Sequence, residues 1–290
     1  MKYDLQSILE IGEKKGCAIP AFNVYNLETV LGVLNAAQET GAPVIFQMYS
    51  RLFDTQEARY VAPAIMEAID TLKTPAAFHL DHGAGEPEVM RALRYGATGV
   101  MIDASVNPLE ENIAQTRRVV ELAGAVGVGV EGELGHVGTT KDEVMAAFTE
   151  VDEAVRYVDE TGVTALAIMV GTAHGKYKQA PVLGIDRISE IHAATKAHLV
   201  LHGGSGVPDD QIKAAVKAGI RKVNFGTDVC CSFLDEVFKV DRSIYAVDLF
   251  MKKPIEAVKE FAISKIKLLG AIQKPETFWS SGICAWSRTL

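Results

Sequence analysis

Apolar residues fall along the chain in short runs rich in branched and aromatic side chains. There are eight: "IPAFNV" (19–24), "PVIFQM" (43–48), "PAAFHL" (75–80), "TGVMID" (98–103), "VGVGVE" (126–131), "TALAIMV" (164–170), "HLVLH" (198–202) and "IRKVNF" (220–225). Between them lie segments with apolar positions at helical spacing, among them "LETVLGVLNAAQETG", "EPEVMRALRYG", "PLEENIAQTRRVVELAG" and "PDDQIKAAVKAG", several opening on an acid or proline and closing on glycine. The strand-like runs are apolar on both faces, as parallel strands covered by helices should be. Eight such units in 290 residues predict a closed (β/α)8 TIM barrel. An open doubly wound sheet fits less well, because no GxGxxG turn follows the first run. Residues 1–18 predict an extra N-terminal helix, and "KPIEAVKEFAISKIKLLGA" (253–271) a C-terminal helical extension. The chain reads as one barrel domain over 1–290, with 274–290 a patternless tail.

Composition narrows the class. With 48% hydrophobic and 23% charged residues the chain is that of an ordinary globular protein. No apolar run is long enough to span a bilayer, and "MKYDLQSILEIGEKKG" has acidic residues where a signal peptide would carry its apolar stretch, so no membrane association and a cytoplasmic location are expected. Cys17, Cys230, Cys231 and Cys284 show no CxxC spacing and read as buried or inert thiols. A net charge of −8 provides no broad basic surface, so nucleic acid is not an expected partner and an anionic ligand must be attracted locally.

In such a barrel the chemistry sits at the carboxyl ends of the strands. The polar residues there are Asn23, Gln47, Asp81, His82, Asp103, Glu131, Glu133, His174, His202, Ser205 and Asn224. His82, His174 and His202 close or follow the third, sixth and seventh runs; three neutral imidazoles with an open fourth position make a catalytic zinc site. A single histidine is more often structural, but three at strand ends beside carboxylates reverse that balance. His79 reads as a barrel-interior residue or a partner of that site, and His136 and His192 as loop and helix-surface residues. Glycine turns "GTAHGKYK" (171–178) and "LHGGSGVPDDQ" (201–211), with "VNFGTD" (223–228) after the last strand, converge on the corner where barrels frequently hold a phosphate. Asn23 and Gln47 are candidate substrate-binding residues, and Glu133 is the second candidate, after Asp81, for proton transfer.

Taken in order, "AFNVYNLE", "HLDHG", "GVMIDAS" with "EEN", "VEGELG", "GTAHGKYK", "HGGSG" and "KVNFGTD" resemble the class II, zinc-dependent ketose-bisphosphate aldolases of the fructose- and tagatose-bisphosphate type, from about residue 4 to about 271. The resemblance implies one catalytic Zn2+ held by His82, His174 and His202, and Asp81 as general acid/base at the hydroxyl next to the breaking carbon bond. It implies that Gly175, Lys178, Gly203, Ser205, Asn224 and Thr227 hold the dihydroxyacetone phosphate end. A monovalent cation (Na+ or K+) near that phosphate and a homodimer or homotetramer are also implied. The implied partner is a small sugar phosphate, cleaved reversibly to dihydroxyacetone phosphate and an aldehyde.

Three departures stand out. Without a gap, Lys141 falls where the family's flexible loop has a glutamate, with Asp142 and Glu143 as shifted substitutes; Tyr49 stands where the family has serine; and no arginine follows Asp228 in "VCCSFLD". The far end of the pocket is therefore expected to serve a second phosphate poorly unless Arg51, Lys141 or a neighbouring subunit supplies a basic side chain. Lys141 keeps open a non-cleaving sugar-phosphate-binding barrel, and the same fold could host a zinc-dependent isomerase or epimerase; Asp81 beside His82 argues against both.

Overall fold

The computed structural model describes residues 1–139, 147–177 and 179–272. Lys141, Asp142, Glu143, Lys178, Cys284 and the 274–290 tail lie outside the described residues. Eight strands, β1 (Ile19–Asn23), β2 (Val44–Tyr49), β3 (Ala76–Gly83), β4 (Gly99–Ile102), β5 (Gly129–Leu134), β6 (Ala165–Ile168), β7 (His198–Leu201) and β8 (Ile220–Phe225), pair in parallel and close β8 onto β1. Around them run α1 (Leu5–Lys15), α2 (Leu27–Thr40), α3 (Glu57–Thr71), α4 (Glu86–Arg94), α5 (Leu109–Gly124), α6 (Val151–Thr161), α7 (Ile185–Ala194), α8 (Asp209–Ala218), α9 (Thr227–Val237), α10 (Val247–Phe250) and α11 (Lys252–Leu268). The predicted (β/α)8 barrel, its extra N-terminal helix and its long last helix are all present.

Two apolar clusters divide the interior. The larger lies between strands and helices; the smaller fills the amino-terminal end of the barrel, where Leu5, Ile8 and Leu9 of α1 meet Ile19, Ala21, Ile45, Ala77, Ala165, Ala167 and Val200. The spacing of Leu5, Ile8, Leu9 and Gly12 gives α1 one buried stripe, and Asp4 caps it by accepting from the Ser7 amide at 2.8 Å. Glycine makes the plug possible: a Cβ at Gly99 would stand 3.0 Å from the Leu5 Cβ and 2.7 Å from the His79 ring. With one end plugged, the barrel opens only at the carboxyl ends of its strands.

The sequence placed the fifth strand at 126–131, but it spans Gly129–Leu134. Gly127, at φ +72°, belongs to the preceding turn. Polar pattern misled here: Glu131 and Glu133 are fully buried in the strand because Lys222 and the histidines lie opposite them. The sixth strand likewise ends at Ile168 rather than Val170. No described helix is long and apolar enough to cross a membrane.

Candidate active site

Strand alternation should send Asp81 and His82 to opposite faces. Instead the β3–β4 register shifts between Leu80 and Gly83, and His82 adopts φ +50°, a left-handed conformation no other described non-glycine residue shares. That conformation costs about 1–2 kcal/mol, and such strain collects at functional sites. Its result is that both side chains line one cavity of about 350 Å³ at the barrel mouth.

His82, His174 and His202 converge there. Ring centroids lie 4.8 Å apart for His82 and His202, 4.9 Å for His82 and His174, and 5.9 Å for His174 and His202. One nitrogen from each sits within 4.8 Å of the others. The outer nitrogens are committed: His82 Nδ1 lies 2.8 Å from Asp103 Oδ2 and His202 Nε2 lies 2.7 Å from Glu131 Oε1. Opposing charges hold both carboxylates well below their usual range against the effect of burial, so they only accept, and the outer nitrogens carry the protons. The inner nitrogens, His82 Nε2 and His202 Nδ1, then face each other at 3.2 Å with lone pairs inward. Among the described residues His174 Nε2 is buried without a hydrogen-bond partner, and burial, then the neighbouring imidazoles, push that ring down to about 3, so it is neutral.

Such an arrangement calls for positive charge. Burial alone would lower His82, but Asp81, the Asp103 hydrogen bond and Glu133 raise it to about 10. A proton on Nε2 or a metal ion would each answer that demand, and the three-imidazole set with carboxylates behind two of its rings has the chemistry of a zinc site. His82, Asp103 and Glu133 form a second, overlapping group of possible ligands.

Asp81 is buried beside the histidines. Asn23 Nδ2 donates to its Oδ2 at 2.7 Å and Asn224 Nδ2 to its Oδ1 at 3.3 Å. Each amide is oriented in turn: Gln47 Nε2 donates to Asn23 Oδ1 at 3.2 Å, and Lys222 Nζ to Asn224 Oδ1 at 2.8 Å. Burial opposes ionisation of Asp81, but His82, His202, Lys222 and the Asn23 hydrogen bond hold it below its usual value. It is an ionised carboxylate with lone pairs left for a substrate proton.

The glycine-rich corner also assembles. Gly175, Gly203, Ser205, Asn224 and Thr227 all line the cavity. The Tyr177 hydroxyl, accepting from the Ala173 amide at 2.7 Å and donating to the Gly203 carbonyl at 3.0 Å, staples the loops after β6 and β7 together. Ser205 Oγ accepts from the Asp228 amide at 3.1 Å, tying this corner to the start of α9.

A sequence profile of the family "Fructose-bisphosphate aldolase class-II" matches residues 3–274. The chain belongs to this class II aldolase family. It is 36% identical over 275 residues to a fructose-bisphosphate aldolase of Staphylococcus aureus, covering 92% of this chain and 96% of that one. It is 33% identical over 281 residues to a sulfofructosephosphate aldolase of Alkalicoccus urumqiensis (94% and 98%) and 35% identical over 278 residues to a 6-phospho-5-dehydro-2-deoxy-D-gluconate aldolase of Bacillus subtilis (93% and 96%). Among solved structures, the YdjI aldolase of Escherichia coli K12 superposes with a TM-score of 0.87 at 31% identity, over 95% of this chain and all of that one.

In this aldolase the predicted residues divide by depth. Asn23, Asp81, His82, His174, Gly175, Gly203, Ser205, Asn224 and Thr227 line the cavity, whereas Gln47, His202 and Glu133 lie beneath its lining. Gln47, read from the sequence as substrate-binding, is buried beneath the lining and donates to Asn23. Glu133 has no direct opening to the cavity among the described residues: it accepts from Ser105 Oγ at 3.0 Å and the Val137 amide at 2.9 Å, with Oε2 3.4 Å from His202 Nδ1. Burial, then Asp103, raise its pKa. It is a neighbour of the histidines beneath the described lining.

His136, expected to be a loop residue, is one, yet it lines the cavity with Nδ1 3.1 Å from Ser105 Oγ. Tyr25 and Lys222 escaped the sequence reading. Lys222 is fully buried and binds Glu131 Oε2 at 2.8 Å; a lysine midway along an apolar run offers no local sign of a carboxylate three strands away.

Proposed function

We propose that this aldolase is zinc-dependent and cleaves a ketose phosphate reversibly to dihydroxyacetone phosphate and an aldehyde. The observation that carries this reading is the pair of imidazole nitrogens facing each other at 3.2 Å, with their outer nitrogens committed to Asp103 and Glu131. A zinc ion held by His82, His174 and His202 would polarise the ketose carbonyl and lower the energy of negative charge developing beside it. Asp81 accepts the proton of the hydroxyl on the carbon that becomes the aldehyde, the carbon–carbon electron pair moves toward the carbonyl as the bond breaks, and the three-carbon fragment takes up one proton on its terminal carbon to leave as dihydroxyacetone phosphate. Asn23 and Asn224 hold the carboxylate plane fixed for that transfer. The corner of Gly175, Gly203, Ser205 and Thr227 takes the phosphate, where small residues leave backbone amides accessible.

The test is release of dihydroxyacetone phosphate from a panel of ketose phosphates, with bound metal measured in parallel. One zinc per chain is expected, with activity lost on chelation and restored by zinc. His202→Ala should lose both metal and activity, since two imidazoles rarely hold catalytic zinc. Full activity in metal-free protein would end this reading, and interconversion of ketoses without carbon–carbon cleavage would show an isomerase or epimerase.

A further inference from the structure

The cleavage proposed above calls for a second proton carrier. Asp81 ends the bond-breaking step holding the hydroxyl proton of the aldehyde, while the three-carbon fragment still needs a proton on its terminal carbon. Few of the described side chains lining the cavity can deliver one. Burial raises Tyr25 and Tyr49, so both are poorer acids than an ordinary tyrosine. Asp103 has no proton to give: burial opposes its ionisation, but the His82 hydrogen bond holds it well below the usual carboxylate range. His82 and His174 are committed to the metal in the reading above. His136 is left, and histidine is the side chain that gains and loses a proton near neutrality.

The surroundings of His136 orient it for that work. Ser105 Oγ lies 2.7 Å from Asp103 Oδ1 and 3.0 Å from Glu133 Oε1, so its hydrogen goes to a carboxylate and a lone pair is left for His136 Nδ1, 3.1 Å away. Nδ1 therefore carries a hydrogen, and Nε2 is the nitrogen that can exchange a proton in the cavity. The backbone beside the ring is held on two sides. The Val137 amide donates to Glu133 Oε1 at 2.9 Å and the His174 amide to the Gly138 carbonyl at 2.9 Å. His136 and Asp81 also approach the His82 ring from different edges. Asp81 Oδ1 lies 3.9 Å from the inner Nε2, whereas the outer Nδ1 is held by Asp103, which Ser105 joins to His136. We infer that His136 is the second acid–base catalytic residue, giving its Nε2 proton to the terminal carbon of the three-carbon fragment in cleavage and taking one from that carbon in the reverse reaction. The electron pair left by the broken carbon–carbon bond forms the new carbon–hydrogen bond. His136, now neutral, regains a proton from water as Asp81 releases its own, so no net proton is consumed. This inference rests on the ketose-phosphate reading and completes its proton balance with a named side chain.

Incubating the zinc-loaded protein with dihydroxyacetone phosphate in deuterium oxide, without any aldehyde, reads the carbon proton transfer by itself as loss of a hydroxymethyl proton signal. The wild type should exchange that proton. His136→Gln should slow exchange by about 10²-fold or more and slow ketose cleavage with it, while zinc content and the calorimetric affinity for dihydroxyacetone phosphate stay as in the wild type. Asp81→Asn should keep most of the exchange and lose cleavage, which separates the two proton carriers. Ser105→Ala, which removes the acceptor at Nδ1, should slow exchange by about tenfold, as for one lost hydrogen bond. His192→Gln, on α7 and outside the cavity lining, is the control and should exchange like the wild type. Exchange at the wild-type rate in His136→Gln, or a wild type that cleaves ketose phosphates without exchanging this proton, overturns the assignment. A wild type that neither exchanges nor cleaves overturns the aldolase reaction proposed above, and the role of His136 with it.

Discussion

Asp81 owes its position to residues that never reach the cavity. Its two amide partners can rotate by exchange of oxygen and nitrogen, and Gln47 and Lys222 remove that freedom by donating to the amide oxygens. Replacing Asp81 by asparagine keeps the shape and removes the proton acceptor. The turnover number should fall by about 10²-fold or more, with metal content unchanged; kinetics and metal analysis on the same preparation check this. Lys222→Met probes the layer beneath. It strands the Glu131 charge in the core, where an unpaired buried ion costs about 3–5 kcal/mol, and loosens the hold on His202. Urea unfolding should show that loss, metal affinity should fall by about 10- to 100-fold, and adding Glu131→Gln should recover much of the stability but not the affinity. If Lys222→Met unfolds like the wild type, the lysine does not neutralise Glu131.

At the scale of elements, the glycine-rich corner proposed to take the phosphate depends on loops after β6 and β7 meeting at backbone distance. Gly203 sits at φ +63°, and a Cβ there would stand 2.5 Å from the Ala173 carbonyl oxygen. Gly203→Ala must part the two loops. Tyr177→Phe removes their staple and leaves the Ala173 amide and Gly203 carbonyl without that partner, a loss of about 1–3 kcal/mol when such groups are buried. Both variants should raise KM for a phosphorylated substrate by about tenfold or more, and should weaken inorganic phosphate as a competitive inhibitor in parallel. An unchanged phosphate inhibition constant in both would move the phosphate to another part of the rim.

For the whole molecule, the closed end of the barrel carries its own electrostatics, remote from the mouth. Glu13 of α1 accepts from Arg221 of β8 at 2.9 and 3.2 Å and lies 3.7 Å from both His192 and His198. Burial lowers the pKa of His198; Glu13 and Glu10 pull the other way and Arg221 adds to the lowering. Its folded value therefore lies below the unfolded one, about 6.5. Between the two the unfolded chain binds more protons, so this stability is present above about pH 6.5 and is lost as pH falls toward the folded value. Urea midpoints at saturating zinc should decline on acidification through this window, and His198→Gln should flatten that decline relative to wild type. Identical profiles would assign the decline to other groups.

The alternation of apolar runs and amphipathic segments determined the barrel, because strand and helix periods are local properties and eight repeats leave few ways to close. The motifs likewise revealed the three histidines, Asp81 and the glycine corner, since each is a short segment at a strand end. What the sequence could not fix were distances across the barrel. Lys222 and Glu131 meet only because β5 and β8 face one interior, and the Glu131–Glu133 segment was read short as a strand because its charges look exposed until their partners are known. Gln47 and Glu133, polar at strand ends, proved to lie beneath the cavity lining, a matter of depth that one-dimensional pattern does not contain. Tyr49 read as a departure along the chain; only the folded barrel shows its ring 5.6 Å from that of His82, at the mouth of the cavity.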